Sequence, residues 1–208
     1  MGKIDIKSWN RKQTYLFFRN MDMPRYMLTV DLDITNFLAY IKSKKISFYL
    51  SFIYILMNEI NQIENFRYRI IDGEVYLFDQ THPSFTDSIK NTELFKMVTA
   101  DLEPELEKFI EEAQKKSIDQ GDTFIDLISE KRYDLVYITS FPWAKYTQVS
   151  HAFNMNKEDS VPKLSWGKYE NENGRIKIPI SIEVHHALVD GIHVGTFIQN
   201  VQNKLNTY

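Results

Sequence analysis

The sequence predicts an α/β two-layer sandwich, a mostly mixed β-sheet with helices packed on a face, in one domain over residues 1–208. Three observations carry that expectation. Segments alternating apolar and polar residues, the mark of a strand, are interleaved along the chain with segments of helical period. Hydrophobic residues make up 43% of the 208 and aromatics 14%, enough for a sizeable core. The 7 Gly and 6 Pro are scattered, with no repeat, low-complexity tract or linker to divide the chain.

Each element has its own signal. Ser8 reads as a helix start, with Trp9 to Arg19 behind it. Met27 to Leu32 alternates like a strand, and Asp33-Ile34-Thr35 opens a helix over Asn36 to Lys42. Phe48 to Ile63 is apolar on several faces and predicts a buried helix. Phe66 to Ile71 and Glu74 to Phe78 flank Asp72-Gly73, a hairpin turn. Leu94 to Val98 reads as a strand, and Glu103 to Lys116 as a helix with Glu and Lys at helix-pair spacing. Leu135 to Thr139 is a short apolar strand running into Ser140-Phe141-Pro142-Trp143. Leu164 to Tyr169 and Ile176 to Val184 flank the polar turn Glu170 to Gly174, and Ile192 to Leu205 closes the chain as a helix.

Composition removes several classes of function. No apolar run reaches the roughly 20 residues of a spanning helix, and the mean hydropathy is -0.37. The opening Met1-Gly2-Lys3-Ile4-Asp5-Ile6-Lys7 mixes charge with apolar residues, unlike a secretory signal, so the expected location is the cytoplasm, away from membranes. Cysteine is absent, which excludes disulfides, thiolate metal sites and a Cys nucleophile. A net charge of -3 lacks the basic excess of a nucleic-acid binder.

Chemistry concentrates in Val184-His185-His186-Ala187-Leu188-Val189-Asp190-Gly191. A strand rich in β-branched residues delivers two His at its end, where consecutive side chains point opposite ways, so His185 and His186 take different roles. Three readings compete. The pair is structural, with imidazoles satisfied by the backbone; or His185, His186, Asp190 and His193 hold a metal, against which stands the divergence of adjacent His; or one imidazole is a general base, its ordinary pKa of about 6.5 suiting it to take an alcohol proton near neutrality.

His185-His186-Ala187-Leu188-Val189-Asp190-Gly191 resembles the HHxxxDG motif of the CoA-dependent acyltransferases. Asp5-Ile6-Lys7-Ser8-Trp9-Asn10-Arg11-Lys12 resembles the opening motif of the chloramphenicol acetyltransferase family. Asp33-Ile34-Thr35, Phe48-Tyr49, Asn65-Phe66-Arg67, Asp72-Gly73-Glu74, Pro142-Trp143, Gly167-Lys168-Tyr169 and Gly191-Ile192-His193-Val194-Gly195 follow that family's order, so the resemblance covers nearly the whole chain. It implies a homotrimer with active sites at the subunit interfaces. It also implies acetyl-CoA as cosubstrate with no metal, and acetyl transfer to a hydroxyl of chloramphenicol or another small-molecule alcohol in a ternary complex.

Residue by residue, the resemblance makes His186 the general base and Asp190 and Arg11 a structural ion pair. The family's oxyanion-binding Ser stands four residues before its Trp, a position occupied by Thr139, with Ser140 as the substitute. Trp143, Ser165, Lys168 and Tyr169 match cosubstrate-binding positions, while the Lys expected before Phe48 is Ser47, with Lys44 and Lys45 nearby. Phe18, Phe85 and His151 fall in the expected acceptor region. There the chain departs from the family: Asp87-Ser88-Ile89-Lys90 replaces an apolar run, Tyr146 to His151 replaces an aromatic-Asn-Leu-Asn stretch, and Met21 to Arg25 brings in Asp22 and Arg25. Unpaired charges there predict that chloramphenicol is a poor substrate. The alternative function is a catalytically quiet trimer that binds CoA or a small ligand.

Overall fold

The structure is a computed structural model that describes residues 1–152 and 155–208. The chain opens with β1 (Gly2–Lys3), α1 (Lys12–Phe18) and β2 (Arg25–Asp33). Two helices follow, α2 (Thr35–Lys44) and α3 (Phe48–Asn61), then a 3-10 turn (Glu64–Arg67) and the hairpin of β3 (Tyr68–Ile71) and β4 (Glu74–Leu77). Next come β5 (His82–Ser88), β6 (Phe95–Thr99) and α4 (Leu106–Gln120). After a short 3-10 turn (Ser129–Lys131) the chain ends in β7 (Leu135–Phe141), β8 (Lys163–Gly167), β9 (Glu170–Glu172), β10 (Arg175–His185) and α5 (Gly191–Asn206).

Among the described residues seven strands form the main sheet, in the order β2-β10-β8-β7-β5-β6 with β9 paired to β10. It is mixed, as expected: β5–β7 and β7–β8 are parallel and the other pairs antiparallel. Alternation divides its faces. Phe85, Ile138, Leu164, Trp166, Ile180 and Ile182 are nearly inaccessible on the helix side. Phe52 of α3 meets the Trp166 ring edge-on, and Tyr49 lies 5.3 Å from it. The opposite face is polar: Thr29, Ser181, Ser165, Thr139 and Thr86 fall level across five strands. The chain after Trp143 covers part of this face, where Tyr146 Oη reaches Ser165 and Asp159 pairs with Lys163 and Arg25.

Several elements differ from the sequence expectation. Ser8 does not cap α1; its hydroxyl and the Lys7 amide both bond the Asp5 carboxylate, which makes a turn and delays the helix to Lys12. Pro104 holds α4 back to Leu106. β5 has no clear strand signal in the sequence, because Pro83 interrupts it, yet it is an interior strand between β7 and β6. Phe66 and Arg67, expected in a strand, belong to the 3-10 turn ahead of β3, and β9 lies within the expected polar turn Glu170 to Gly174. The starts of α3 and α2 hold: the Ser47 hydroxyl accepts the Leu50 amide to cap α3, and Asp33 accepts the Thr35 amide and hydroxyl ahead of α2. The Asp72-Gly73 turn has both residues at positive φ, 50° and 79°, as a tight hairpin requires.

Gly167 ends β8 where three groups crowd it. A Cβ there would stand 2.9 Å from Pro179 Cγ and 3.0 Å from both Ala144 O and Tyr146 Cδ1. Gly167→Ala is therefore expected to cost about 1–3 kcal/mol by overpacking, lowering the thermal midpoint by about 2–10 °C; a melt matching the wild type would show that the strand end yields freely.

Candidate active site

β10 carries its two His into the turn before α5. The outward side chain, His185, is almost fully buried. Its Nδ1 accepts the Ala187 amide at 3.2 Å and its Nε2 meets Lys157 O at 2.9 Å, an arrangement that assigns the proton to Nε2. Burial lowers its pKa, which keeps it neutral.

His186 is different. Its amide bonds Pro24 O at 2.8 Å, anchoring the turn to the segment before β2. Phe18 stacks on the imidazole with centroids 3.7 Å apart and planes 7° off parallel, and Tyr26 lies tilted at 4.8 Å. The side chain keeps 34% of its surface exposed, while among the described residues the buried Nδ1 makes no hydrogen bond, so Nε2 is the nitrogen at the open edge. Nδ1 stands 3.5 Å from Asp190 Oδ1. Both Asp190 oxygens are held by Arg11, at 2.6 and 3.0 Å, and the same guanidinium reaches Ala187 O at 3.3 Å. The Arg11 hydrogen bonds hold the Asp190 carboxyl below the usual carboxylate range. His193 Nδ1 accepts the Asp190 amide at 2.9 Å, and Asn65 donates to Leu188 O. Arg11, Asn65 and His193 thus brace the turn that presents His186. Tyr26 carries no site signal in the sequence; among the described residues its buried hydroxyl has no hydrogen-bond partner, and burial pushes its pKa to about 12.

A second group gathers where β7 and β8 end. Thr139 and Ser165 are level on neighbouring strands, and Thr139 Oγ1 lies 3.1 Å from Thr86 Oγ1. A cavity of about 260 Å³ is lined by Thr86, Phe95, Thr139, Ser140, Phe141 and Trp143. It adjoins a larger one of about 600 Å³ that shares Thr86, Asp87, Ser88 and Ser140 and runs between α3 and α4. Ser140 follows the inward alternation, so it faces the second cavity while Thr139 faces the polar side of the sheet. Trp143 is 75% exposed, Tyr169 lies 5.9 Å from Phe48, and exposed Lys168 is tethered by its amide to Ala144 O. Phe95, half exposed in the wall beside Thr139, carries no site signal in the sequence, although its strand does carry a strand signal.

Three assignments change. Phe85 packs against Tyr49 on the helix side, 2% exposed, and only borders the larger cavity, so it is core rather than an open wall. Arg25 is not unpaired: it bonds Asp159 and approaches Glu183 to 3.7 Å. Asp87 accepts a hydrogen bond from Ser117 of α4. His151 sits partly buried near Glu183 and Lys163, its pKa lowered chiefly by burial. Among the described residues no group of three or more His, Cys, Asp or Glu is arranged to hold a metal, and no helix is long and apolar enough to cross a membrane.

Within one chain the two groups stay apart. Ser181 is level with Thr139 two strands away, and His186 lies five residues further along. At about 3.3 Å per residue and 4.8 Å per strand, the separation is on the order of 15–20 Å.

The family model described as chloramphenicol acetyltransferase matches residues 1–202. A chloramphenicol acetyltransferase of Escherichia coli is 30% identical over 201 residues, covering 96% of this chain and 91% of its own. One from Proteus mirabilis is 28% identical over 203 residues, covering 96% and 92%. A solved chloramphenicol acetyltransferase superposes with a TM-score of 0.89 at 27% identity, over 98% of this chain and 99% of that one. The cubic core of a pyruvate dehydrogenase multienzyme complex shares the fold, with a TM-score of 0.71 at 14% identity over 93% and 86%. With a paired sheet end, a braced His-His turn and relatives aligned almost end to end, the chain belongs to the chloramphenicol acetyltransferase family of acyltransferases.

Proposed function

We propose that the protein transfers acetyl from acetyl-CoA to a hydroxyl of a small-molecule alcohol, with His186 as general base. The observation that carries this reading is the state of the His186 ring: clamped by Phe18, its buried Nδ1 turned toward Asp190 and its Nε2 edge open. The acceptor hydroxyl gives its proton to Nε2 as its oxygen attacks the thioester carbonyl. The tetrahedral oxyanion takes the Thr139 hydroxyl as donor. Collapse breaks the carbon–sulfur bond, and the proton on Nε2 passes to the departing CoA sulfur. Exposed Trp143, Tyr169 and Lys168 supply aromatic surface and positive charge suited to pantetheine, adenine and phosphate, whereas Ser165 is buried with its hydroxyl accepting a hydrogen bond from Tyr146. Because acetyl-CoA is the donor, the reading places the enzyme in the cytoplasm.

The separation of His186 from Thr139 in one chain supports a site built between copies, His186 from one subunit facing Thr139 of the next in a homotrimer. Exposed apolar side chains flank both halves: Leu16, Phe17 and Met23 beside His186, and Phe95, Phe141 and Trp143 beside Thr139. A particle of about 74 kDa, three times the 24.7 kDa chain, is the expected mass by light scattering. A monomer at assay concentration would separate the two halves of the site.

His186→Ala is expected to lower kcat about 100- to 10,000-fold with little change in melting, whereas His185→Ala mainly lowers the melting midpoint. Thiol release with acetyl-CoA and a panel of alcohols reads the first and calorimetry the second. CoA binding without turnover of any alcohol would establish the quiet, ligand-binding alternative.

Asp190→Asn and Arg11→Ala should each cost about 2 kcal/mol, with the double variant little worse because one pair is lost in all three. The Asp190 pKa is depressed in the fold, so this contribution is complete above its unfolded value of about 4 and disappears as pH falls through the folded value. Urea melts of the four proteins between pH 3 and 7 test both points; full additivity would argue against the pair.

The cavity beside Thr139 is lined in part by Thr86, Asp87, Ser88 and Ser140, a polar set that suits a polar alcohol better than an aryl drug. Chloramphenicol is expected to turn over more slowly than the best alcohol of the panel, and a micromolar KM for the drug would overturn that expectation.

A further inference from the structure

We propose that Thr86 is a positioning residue that turns the Thr139 hydroxyl hydrogen into the reaction site. The proposal rests on the reading of Thr139 as oxyanion donor and adds the group that makes it one. β5 and β7 run parallel with Phe85 opposite Ile138, so Thr86 and Thr139 follow level and on the same face, both lining the 260 Å³ cavity. Their hydroxyl oxygens are 3.1 Å apart, and either can donate.

That ambiguity is the functional point. A Thr hydroxyl has one hydrogen and two lone pairs. If Thr139 donates to Thr86, its hydrogen is unavailable to an oxyanion. If Thr86 donates to Thr139, the Thr139 hydrogen is free, and the bond it receives polarises it into a stronger donor. Among the described residues neither hydroxyl makes any other hydrogen bond. Negative charge developing beside Thr139 therefore selects the second orientation at little cost, since only two hydroxyl hydrogens rotate.

The strand is held for this task from its other face. Tyr49 of α3 donates its hydroxyl to the Thr86 carbonyl at 2.7 Å. Burial raises the Tyr49 pKa, so it stays a donor throughout the working range. Tyr49 in turn packs between Phe85 and Trp166. The β-branched Thr139 has few rotamers, and Thr86 rewards the one that keeps its oxygen on the cavity side.

Steady-state kinetics with acetyl-CoA and the best alcohol of the panel test this in Thr86→Val, Thr86→Ser, Thr139→Val and the double valine variant. Thr86→Val keeps shape and strand preference while removing the hydroxyl. It is expected to lower kcat about 10- to 100-fold, less than the full loss of an oxyanion donor, with the acetyl-CoA KM within about twofold. Thr86→Ser should retain kcat within about threefold, and the double variant should be no slower than Thr139→Val alone. Wild-type kcat in Thr86→Val, or a double variant slowed by the product of the single effects, would overturn the proposal. If Thr86→Val melts early, Thr86→Ser against Thr86→Ala separates hydroxyl from packing, and equal kcat in that pair also overturns it. Unchanged kcat in Thr139→Val would instead remove the oxyanion reading beneath it, whereas a slow Thr139→Val with a fast Thr86→Val removes the role of Thr86 alone.

Discussion

The register of β10 governs the rest of the molecule. β2 pairs with it from Lys177 to His185, and β8 from Ile180 to Glu183. In this register Ile178, Ile180, Ile182 and Val184 enter the core while Lys177, Ser181, Glu183 and His185 lie on the other face. A slip of one residue would exchange the rows, burying charge against α3 and exposing four aliphatic side chains. The helix layer, the hydroxyl row and the direction of each His all follow from one choice of alignment. The Arg11–Asp190 pair then fixes only the turn, which the strand has already delivered to the right place.

The polar face carries an energetic burden of its own. Arg25, Lys163, Asp159 and Glu183 are mutually paired and mostly removed from water, and among the described residues Glu183 Oε2 has no hydrogen-bond partner. Burying such a group costs free energy that pairing only partly offsets. A sheet built for stability alone would place apolar residues there.

Much of this was legible in the sequence, for reasons that can be assigned. The apolar period of β10 and the run in α3 exceed local noise, and motif residues such as His186, Asp190 and Arg11 carry their own signal. Their 179-residue separation is bridged only by the fold, and the resemblance supplied that link. The boundary of α1 was not legible, because Ser8 had two uses and the nearby Asp5 carboxylate decided between them. Nor was the burial of Phe85, since its strand is masked by Pro83 and the face of a side chain cannot be read until its strand is placed. Tyr26 and Thr86 were invisible for the same reason: each matters through a neighbour remote in sequence. Arg25 and Asp87 were legible as charges, but their partners Asp159 and Ser117 were not.

Arg69 shows how the two sheets are joined. It leaves β3 and is wholly enclosed, with Nε and both Nη groups donating to the carbonyls of Tyr133, Phe66, Tyr68 and Leu135 at 2.6–2.9 Å. Desolvation lowers its pKa to about 9, so the cation persists at neutral pH in a cage of backbone dipoles. Lysine offers its three donors from a single point and cannot span four carbonyls set around a plane. Neutral replacements would strand those acceptors away from water. The codon at this position therefore has little room to drift: what is recognised is main chain, which no compensating substitution elsewhere can rewrite, and the start of β7, with Thr139 four residues beyond Leu135, inherits that immobility.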